Sequence, residues 1–307
     1  MFKKIAVGIS LLFLIGAAHA SPLNYNLKAE KVAENTWVFQ GKLEDFSNLN
    51  GGNIVNTGFV VTEEGVVVID TGPSLRYGKA MRKAIESVTD KPIKVVFNTH
   101  HHPDHFLGNQ AFSDVDIQAL PETGKQIAMH GNAFAENMYR LVGDWMRSTE
   151  VYLPSRPIES DHLKLGSHSF KLMSYTGHSG SDLVILDEKT GVLFAADMIF
   201  FQRALTTPHT PGLHVWLDEI AKMRDIEFSL LIPGHGPLVE DARAFDQMSA
   251  YLAWLDKVMT ESAKEGLSMT EVMRLPVKPE FKDIALKRRE FIRSVVHLYP
   301  KYEEKYF

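Results

Sequence analysis

Short apolar or alternating runs, separated by Gly, Pro and Asn, recur from Asn35 to about residue 240. Runs of this length with such boundaries are typical of strands. The predicted strands lie in "NTWVFQG", "NIVNTGFVVT", "GVVVIDTGP", "IKVVFNT", "VDIQAL", "SFKLMSYTG", "LVILDE", "GVLFAAD" and "FSLLIPG". Three-to-four spacing of apolar residues predicts helices between some of them, over Tyr77 to Val88 and near Leu217 to Arg224. Strands outnumber helices and are interspersed with them, so we predict a layered α/β body with helices outside packed sheets.

A longer predicted helix follows "VDIQAL" and carries large apolar residues at helical spacing. These residues are Phe134, Met138, Leu141 and Trp145. Because an apolar stripe of this kind normally packs against the body of a domain, we expect the Met and aromatic residues of 134–146 to face the core.

Beyond about Asp241 the chain shows only helical patterns. An apolar stripe predicts a long helix, and its members are Phe245, Met248, Leu252, Leu255 and Met259. Gly266 is expected to end this helix, and Ser268 with Glu271 resembles a capping box for the next one. A last amphipathic helix follows "PVKPEF". We predict that this tail covers the core, and we assign it no chemistry.

The first twenty residues have the organisation of a secretory signal peptide. Lys3 and Lys4 precede an apolar stretch that ends in the small residues before and at Ala20. We therefore expect cleavage near Ala20 and a periplasmic or secreted mature protein. The apolar stretch is short for a spanning helix and no later stretch is long enough, so we expect no stable membrane anchor.

The composition of the 307-residue chain, with 45% hydrophobic and 23% charged residues, is that of a folded globular protein. Cysteine is absent, which excludes disulfides, thiolate metal ligands and a cysteine nucleophile. The net charge is -5, and no dense block of Lys and Arg is present. We therefore expect no nucleic-acid partner.

Ionisable residues follow several of the predicted strands directly. Asp70 ends "GVVVID", a loop with four histidines (residues 98–108, "NTHHHPDHFLG") follows "IKVVFNT", and His178 follows "LMSYTG". Asp197 ends "GVLFAAD", and His235 follows "LLIPG". Groups placed at one rim of a sheet can converge in space although they are far apart in sequence. We predict a site at this rim.

The spacing in the histidine loop favours two metal ions. In an extended segment alternate side chains share a face, so His100 and His102 can reach one ion while His101 points elsewhere and is expected to be exposed. Pro103 stiffens the turn, after which the next carboxylate and imidazole can be aimed at a second point. Imidazoles and carboxylates without thiolates suit Zn²⁺, Mn²⁺ or Fe²⁺. One ion cannot use so many ligands, but two adjacent ions can.

These motifs resemble the metallo-β-lactamase superfamily. "THHHPDH" matches its His-x-His-x-Asp-His signature, and "IDTG", "TGHSGSD", "AADMIF" and "PGHG" resemble its other motifs, in the expected order. The resemblance implies a four-layer αβ/βα sandwich. It implies two zinc ions, with His100, His102 and His178 on the first, Asp104, His105 and His235 on the second, Asp197 bridging them, and Asp70 holding the histidine loop. The chain would then comprise a signal peptide at 1–20, a metallo-β-lactamase-like catalytic domain at 21–240, and a C-terminal helical extension at 241–307 packed on the same domain.

The aspartate at position 197 indicates which members of the superfamily the chain resembles more. Metallo-β-lactamases proper have cysteine or serine at or near this position, whereas a bridging aspartate looks more like glyoxalase II, lactonases and related hydrolases. The export signal, the long loop after Asp197 and the helical tail resemble the exported zinc metallohydrolases of quinoprotein and sulfur-oxidation systems. That subgroup implies association with such a system.

The resemblance implies an exported binuclear zinc-dependent hydrolase. A metal-bridging hydroxide, oriented by Asp104, would attack the acyl carbonyl of an ester, lactone, lactam or thioester, and β-lactamase-like activity would be included. Two divalent ions outweigh the charges of Asp104, Asp197 and hydroxide, which favours an anionic or polar small-molecule substrate. Two alternatives are a mononuclear iron sulfur or persulfide dioxygenase and a noncatalytic metal-binding partner of a quinoprotein system.

Two loops have open interpretations. "FFQRALTTPHTPGLH" follows Asp197, so Arg203 and His209 are candidate substrate-binding residues, with Arg203 meeting a substrate carboxylate. The alternative for Arg203 is an ordinary exposed arginine. The segment "LEDFSNLNGGN" (residues 43–53) is either a flap over the site or a simple hairpin loop.

Overall fold

The computed structural model describes residues 23–306. The predicted signal peptide lies outside this range. Within the described range no helix has the length and apolar character needed to cross a membrane.

Seven strands form the first sheet, and they lie side by side in chain order. They are β1 (Glu30–Ala33), β2 (Thr36–Phe39), β3 (Thr57–Val61), β4 (Val66–Ile69), β5 (Ile93–Asn98), β6 (Asp116–Ala119) and β7 (Arg156–Pro157). Strands β1 to β4 pair antiparallel, and β4 to β7 pair parallel. The parallel half is covered by helices, because parallel strands need crossover connections.

Five strands form the second sheet, in the order β12-β11-β10-β9-β8. They are β8 (His162–Leu165), β9 (His168–Tyr175), β10 (Asp182–Asp187), β11 (Val192–Phe200) and β12 (Leu230–His235). Strands β8 to β11 pair antiparallel and β12 is parallel to β11. Strands β9, β11 and β12 therefore point the same way, and their C-terminal ends share one edge.

The helices lie outside the sheets. They are α1 (Leu75–Glu86), α2 (Pro103–Phe106), α3 (Pro121–Val142), α4 (Leu213–Met223), α5 (Arg243–Lys264), α6 (Met269–Val272) and α7 (Lys287–Tyr306). The predicted strands and long helices are confirmed within a few residues at each end.

The hydrophobic core has an inner layer and two outer layers. Phe97 of the first sheet meets Phe170 and Phe194 of the second between the two sheets. Tyr77 of α1 packs on the outer face of the first sheet. Helices α4, α5 and α7 cover the outer face of the second sheet, with Trp216 fully buried among them. The predicted four-layer αβ/βα sandwich is thus confirmed.

The C-terminal helices form as the sequence predicts. Gly266 has a φ of +72°, a left-handed conformation that favours glycine after a helix end. Ser268 and Glu271 form the predicted capping box at the start of α6. The expectation that the Met and aromatic residues of 134–146 face the core was wrong at Tyr139, which is 52% exposed. Leu141 faces a cleft beside the site, whereas Met138 on the same helix is buried.

Candidate metal centre

The predicted ligands converge at one edge of the sandwich because the strands that carry them end there. The backbone N–H of Leu183 donates to the carbonyl of Thr99 (2.8 Å), and that of Asn56 donates to the carbonyl of Gly234 (2.8 Å). These two hydrogen bonds tie the sheets together beside the site. All seven predicted ligands are at most 7% exposed; they are His100, His102, Asp104, His105, His178, Asp197 and His235.

Three imidazoles meet at one point. His102 Nδ1 lies 3.0 Å from His100 Nε2 and 2.8 Å from His178 Nε2. The Oδ2 atom of Asp197 lies 3.3 Å from His178 Nε2. These four side chains present their ligand atoms within 4.8 Å of one another. The arrangement suits a cation, because neutral imidazoles offer one lone pair each.

A second group lies beside the first. His235 Nε2 is 3.4 Å from Asp104 Oδ2 and 3.4 Å from Asp197 Oδ2. His105 Nε2 is 3.2 Å from Asp197 Oδ1, yet both of these buried atoms lack a hydrogen-bond partner within the described chain. Buried polar atoms without partners are costly, and a bound cation would satisfy them. The residues present therefore fit two metal ions, with Asp197 adjacent to both groups.

Asp70 positions the histidine loop through three contacts. Its Oδ1 accepts a hydrogen bond from the backbone N–H of Thr99 (2.8 Å), and its Oδ2 accepts one from the Thr99 hydroxyl (2.8 Å). His105 Nδ1 lies 2.7 Å from the same Oδ2. Asp70 has a φ of +58°, which is uncommon for a residue with a side chain and typical of functional sites.

Other groups orient the ligands from behind. His235 Nδ1 donates to the carbonyl of Ile54 (2.7 Å), which leaves Nε2 free to face Asp104. Asp182 accepts from the backbone N–H groups of His178 (3.0 Å) and Ser179 (2.9 Å) and shapes the loop that carries His178. Sequence reasoning missed Asp182, although it lies in the quoted motif "TGHSGSD" and is four residues after the predicted ligand His178.

The electrostatics of the site differ between the two groups. Burial holds the pKa of His100 and His102 well below the ordinary value, and it lowers that of His178 to about 3. Burial also opposes protonation of His105, but Asp197 and the other nearby carboxylates raise its pKa well above the ordinary value. The first group is therefore neutral imidazole, which is the form that binds metal.

Burial raises the pKa of the Asp182 carboxyl to about 7, although hydrogen bonds from Ser179 and the backbone of His178 oppose this shift.

Backbone packing fixes Asp197. Ala196 has a φ of +45°, and Gly234 of β12 lies so close that an added Cβ would be 1.9 Å from Asp197 Oδ1. Glycine is therefore required at Gly234 for the carboxylate to sit between the two groups.

A cleft of about 240 Å³ opens onto the site. Its walls include residues from α3, the loop after β11 and α7. They include Phe134, Asn137, Leu141, Arg203, Pro208, His209, Arg289 and Arg293. The C-terminal extension, to which the sequence assigned no chemistry, thus supplies two arginines to the wall.

Three side chains differ from expectation or add to it. His101 is 1% exposed, so the expectation of an exposed side chain was wrong. Arg203 is 3% exposed, so the alternative of an ordinary exposed arginine was also wrong. It lines the cleft and lies 3.8 Å from Glu290 Oε1, a partner remote in sequence. His209 Nδ1 is 2.7 Å from His102 Nε2, so His209 contacts a predicted ligand as well as lining the cleft.

Comparison with family models gives one match. The model described as "Metallo-beta-lactamase superfamily" matches residues 50–235. This range contains all seven residues of the two groups.

Two curated relatives match parts of the chain. A linear primary-alkylsulfatase of Pseudomonas sp. (strain ATCC 19151) is 41% identical over 49 residues, which is 16% of this chain and 9% of the relative. A β-lactamase-like protein 2 homolog of Caenorhabditis elegans is 21% identical over 188 residues, which is 60% of this chain and 57% of the relative. The matches therefore span less than two thirds of either relative.

Solved structures share the fold. A metallo-β-lactamase from Pontibacter korlensis has a TM-score of 0.60 and 19% identity, and the match covers 74% of this chain and 99% of that one. A stereoselective inverting sec-alkylsulfatase from Pseudomonas sp. has a TM-score of 0.66 and 16% identity, with 92% of this chain and 50% of that one covered. At these identities the likeness shows the fold alone. Both named neighbours are hydrolases, in agreement with the predicted enzyme class.

Proposed function

Because this chain belongs to the metallo-β-lactamase superfamily, we propose that it is an exported binuclear zinc hydrolase of small anionic or polar substrates. The observation that carries the proposal is the position of Asp197. Its Oδ2 lies 3.3 Å from His178 Nε2 of the first group and 3.4 Å from His235 Nε2 of the second, and its Oδ1 lies 3.2 Å from His105 Nε2. A carboxylate within reach of both groups could contact two ions at once.

Each group of side chains would hold one ion. The proposed ligands are His100, His102 and His178 for the first ion, Asp104, His105 and His235 for the second, and Asp197 for both. The first set of histidines with Asp197, and the second set of three, are each compact enough to surround a cation. When bound, two zinc ions would lower the pKa of a shared water to about 7 and polarise the substrate carbonyl.

The protein's own groups would orient the reaction. Asp104 lies at the floor of the cleft, 3.4 Å from His235 Nε2, where its carboxylate can accept a hydrogen bond from the attacking water or hydroxide. Phe134 and Leu141 line one side of the cleft and would exclude bulk water from the acyl group. Arg203 lines the same cleft and would attract a substrate anion.

The proposed substrates are esters, lactones, lactams and thioesters. A second candidate is a sulfate ester. The alkylsulfatase structure matches 92% of this chain, against 74% for the Pontibacter β-lactamase, so its likeness extends into the C-terminal helices. A sulfate ester is also an anion, in keeping with arginines in the cleft.

Metal analysis combined with a substrate panel tests the proposal. We expect about two zinc ions per chain. The panel holds a β-lactam, a lactone, a thioester, an aryl ester and an alkyl sulfate, each assayed with zinc-loaded protein and with protein treated with a chelator. Zinc-dependent turnover of any member supports a hydrolase, and the relative rates rank the types of bond that it cleaves. One iron per chain without hydrolysis would favour the persulfide dioxygenase, and metal binding without any turnover would favour a noncatalytic partner of a quinoprotein system.

Export has its own test. Expression in a Gram-negative host followed by mass measurement of the periplasmic protein is expected to show a chain that begins at Ser21. A full-length chain retained in the cytoplasm would contradict the proposed location.

A further inference from the structure

Helix α7 places two arginines at the mouth of the metal cleft. Arg289 and Arg293 are one helical turn apart, and both line the cleft that also contains Asp104 and His235. Arg203 lines the same cleft from the loop after β11. Three arginines therefore line one small cavity. Guanidinium groups bind carboxylate, sulfate and phosphate through paired hydrogen bonds.

Asp45 forms ion pairs with both Arg289 and Arg293. Its Oδ2 forms an ion pair with Nε of Arg289 and lies 3.5 Å from Nη2 of Arg293. In the described part of the chain Arg289 has no other partner, and its side chain is 57% exposed. The terminal nitrogens of Arg289 are thus available to an incoming anion. Asp45 belongs to the segment 43–53, the candidate flap, so this ion pair links that segment to α7.

The buried carboxylate of Glu290 lies between Arg293 and Arg203. Arg293 Nη1 donates to both oxygens of Glu290, at 2.8 Å and 3.1 Å, and Glu290 Oε1 lies 3.8 Å from Arg203 Nη2. Glu290 is fully buried, and burial raises its pKa while the arginines oppose this shift. The Nε atom of Arg203 is buried and has no hydrogen-bond partner in the described chain. A buried guanidinium that is incompletely paired, in the wall of a cleft, points to an anionic ligand.

Building on the proposed function, we propose that Arg289 and Arg293 form a distal anion site. It binds a carboxylate or sulfate group of the substrate at the end remote from the bond that is cleaved. Asp45 is the internal anion that holds this site when substrate is absent, and the substrate anion displaces it. The preferred substrates are then small molecules with an anion at the end away from the scissile group.

Displacement of Asp45 would act on the whole segment 43–53. Asn50 holds this segment internally, since its side chain donates to the carbonyl of Asp45 (2.8 Å) and accepts from the N–H of Gly52 (2.9 Å). Trp145 Nε1 donates to the carbonyl of Asn48 (2.9 Å), which ties the far side of the segment to the turn that follows α3. These hydrogen bonds hold most of the segment in place without the arginines. Only the position of Asp45 depends on its ion pairs with Arg289 and Arg293.

Titration calorimetry of the zinc-loaded protein tests the site without relying on turnover. Dicarboxylates from succinate to suberate present two carboxylates at increasing separation, one for the metals and one for the arginines, whereas hexanoate supplies only one anion. We expect the best dicarboxylate to bind about tenfold more tightly than hexanoate, the contribution of one added charge-assisted pair. Arg289→Gln and Arg293→Gln are each expected to remove most of this difference. Arg243→Gln, at an exposed arginine on α5, is the matched control and should retain it.

Asp45→Asn gives the decisive comparison. It removes the internal competitor, so we expect tighter binding of the dicarboxylate by about threefold, opposite in sign to the arginine variants. A purely structural role of the Asp45 pair would weaken binding in all three variants. Equal affinity of hexanoate and every dicarboxylate, or loss of affinity in Asp45→Asn, would overturn the distal site.

Hydrolysis separates this inference from the proposed function. Aryl half-esters of the best dicarboxylate are compared with the matching esters that end in a carboxamide. If neither ester is hydrolysed, the proposed acyl hydrolase fails, while calorimetry still decides the anion site. If both are hydrolysed with equal kcat/KM, the hydrolase stands and the distal site is overturned.

Discussion

The Oδ2 atom of Asp70 lies 2.7 Å from Nδ1 of His105. A carboxylate accepts hydrogen bonds, so this contact places a proton on Nδ1 and leaves Nε2, 3.2 Å from Asp197 Oδ1, as the atom that would bind a metal ion. The same carboxylate accepts from Thr99 at the end of β5, and thereby connects the two strands that precede the site. Asp70 thus controls both the tautomer of a proposed ligand and the shape of the loop that carries it.

Asp70→Asn is expected to reduce zinc content and turnover together. The amide is uncharged and has only one acceptor oxygen, so it cannot replace the hydrogen bonds of the carboxylate to both His105 and Thr99. The second ion should therefore be bound more weakly. Loss of such a partner typically lowers metal affinity or activity by about 10- to 100-fold. Zinc content after dialysis and kcat/KM are the measurements, and Asp116→Asn at a more exposed carboxylate is the control. Normal zinc content with normal turnover would show that Asp70 is only a turn former.

The two groups of ligands should lose metal independently. His178→Ala removes a ligand from the first group and His235→Ala one from the second, so each variant should bind about one zinc ion instead of two, with most turnover lost. Elemental analysis beside the wild-type protein measures this, with His162→Ala at an exposed histidine as control. A wild-type protein with one ion, unaffected by His235→Ala, would contradict the binuclear site and favour the iron dioxygenase.

Gly234→Ala should displace Asp197 without changing any ligand. The new Cβ would lie 1.9 Å from Asp197 Oδ1 and 2.8 Å from its backbone nitrogen, so the carboxylate must move. We expect loss of zinc from both groups and a lower melting temperature. Gly124→Ala is the control, because a Cβ at this position of α3 meets nothing within 4 Å and should stabilise the helix by about 0.5 to 1 kcal/mol. Wild-type zinc content in Gly234→Ala would refute the positional role of this glycine.

The sequence is sufficient to predict the main strands and the convergence of polar side chains at their ends. Strand β4 is buried along its whole length, and such continuous apolar runs are read directly from "GVVVI". His100 and His102 reach a common point, as alternation in an extended segment predicts, and His102 still has extended backbone where α2 begins. The four-residue helix α2 itself was not predicted, because its pattern is too short to have a period.

Side-chain burial at the cleft is what the sequence could not provide. Arg203 is buried because Glu290, far along the chain, lies beside it, and no local pattern indicates that pairing. His101 is buried because His209 and Phe134 pack around its ring from distant loops and helices. Leu141 follows the helical stripe of α3 but faces the cleft, since periodicity identifies an apolar face and not what covers it. Contacts between residues far apart in sequence therefore determine which side chains line the cleft, whereas local sequence patterns indicate the predicted metal ligands.

The C-terminal helices are predicted to unfold together with the sandwich. Phe291 of α7 is fully buried in the cluster that also contains Leu231 of β12, so truncating it should destabilise the whole domain. We expect Phe291→Ala to cost about 3 to 5 kcal/mol, whereas Val296→Ala at an exposed position of α7 should change stability by less than about 0.5 kcal/mol. Denaturant unfolding of the zinc-loaded protein, followed by tryptophan fluorescence and by circular dichroism, measures both. Coincident single transitions with a shifted midpoint are expected for Phe291→Ala. A separate early transition that alone responds to this substitution would show that the extension folds independently of the metal-binding domain.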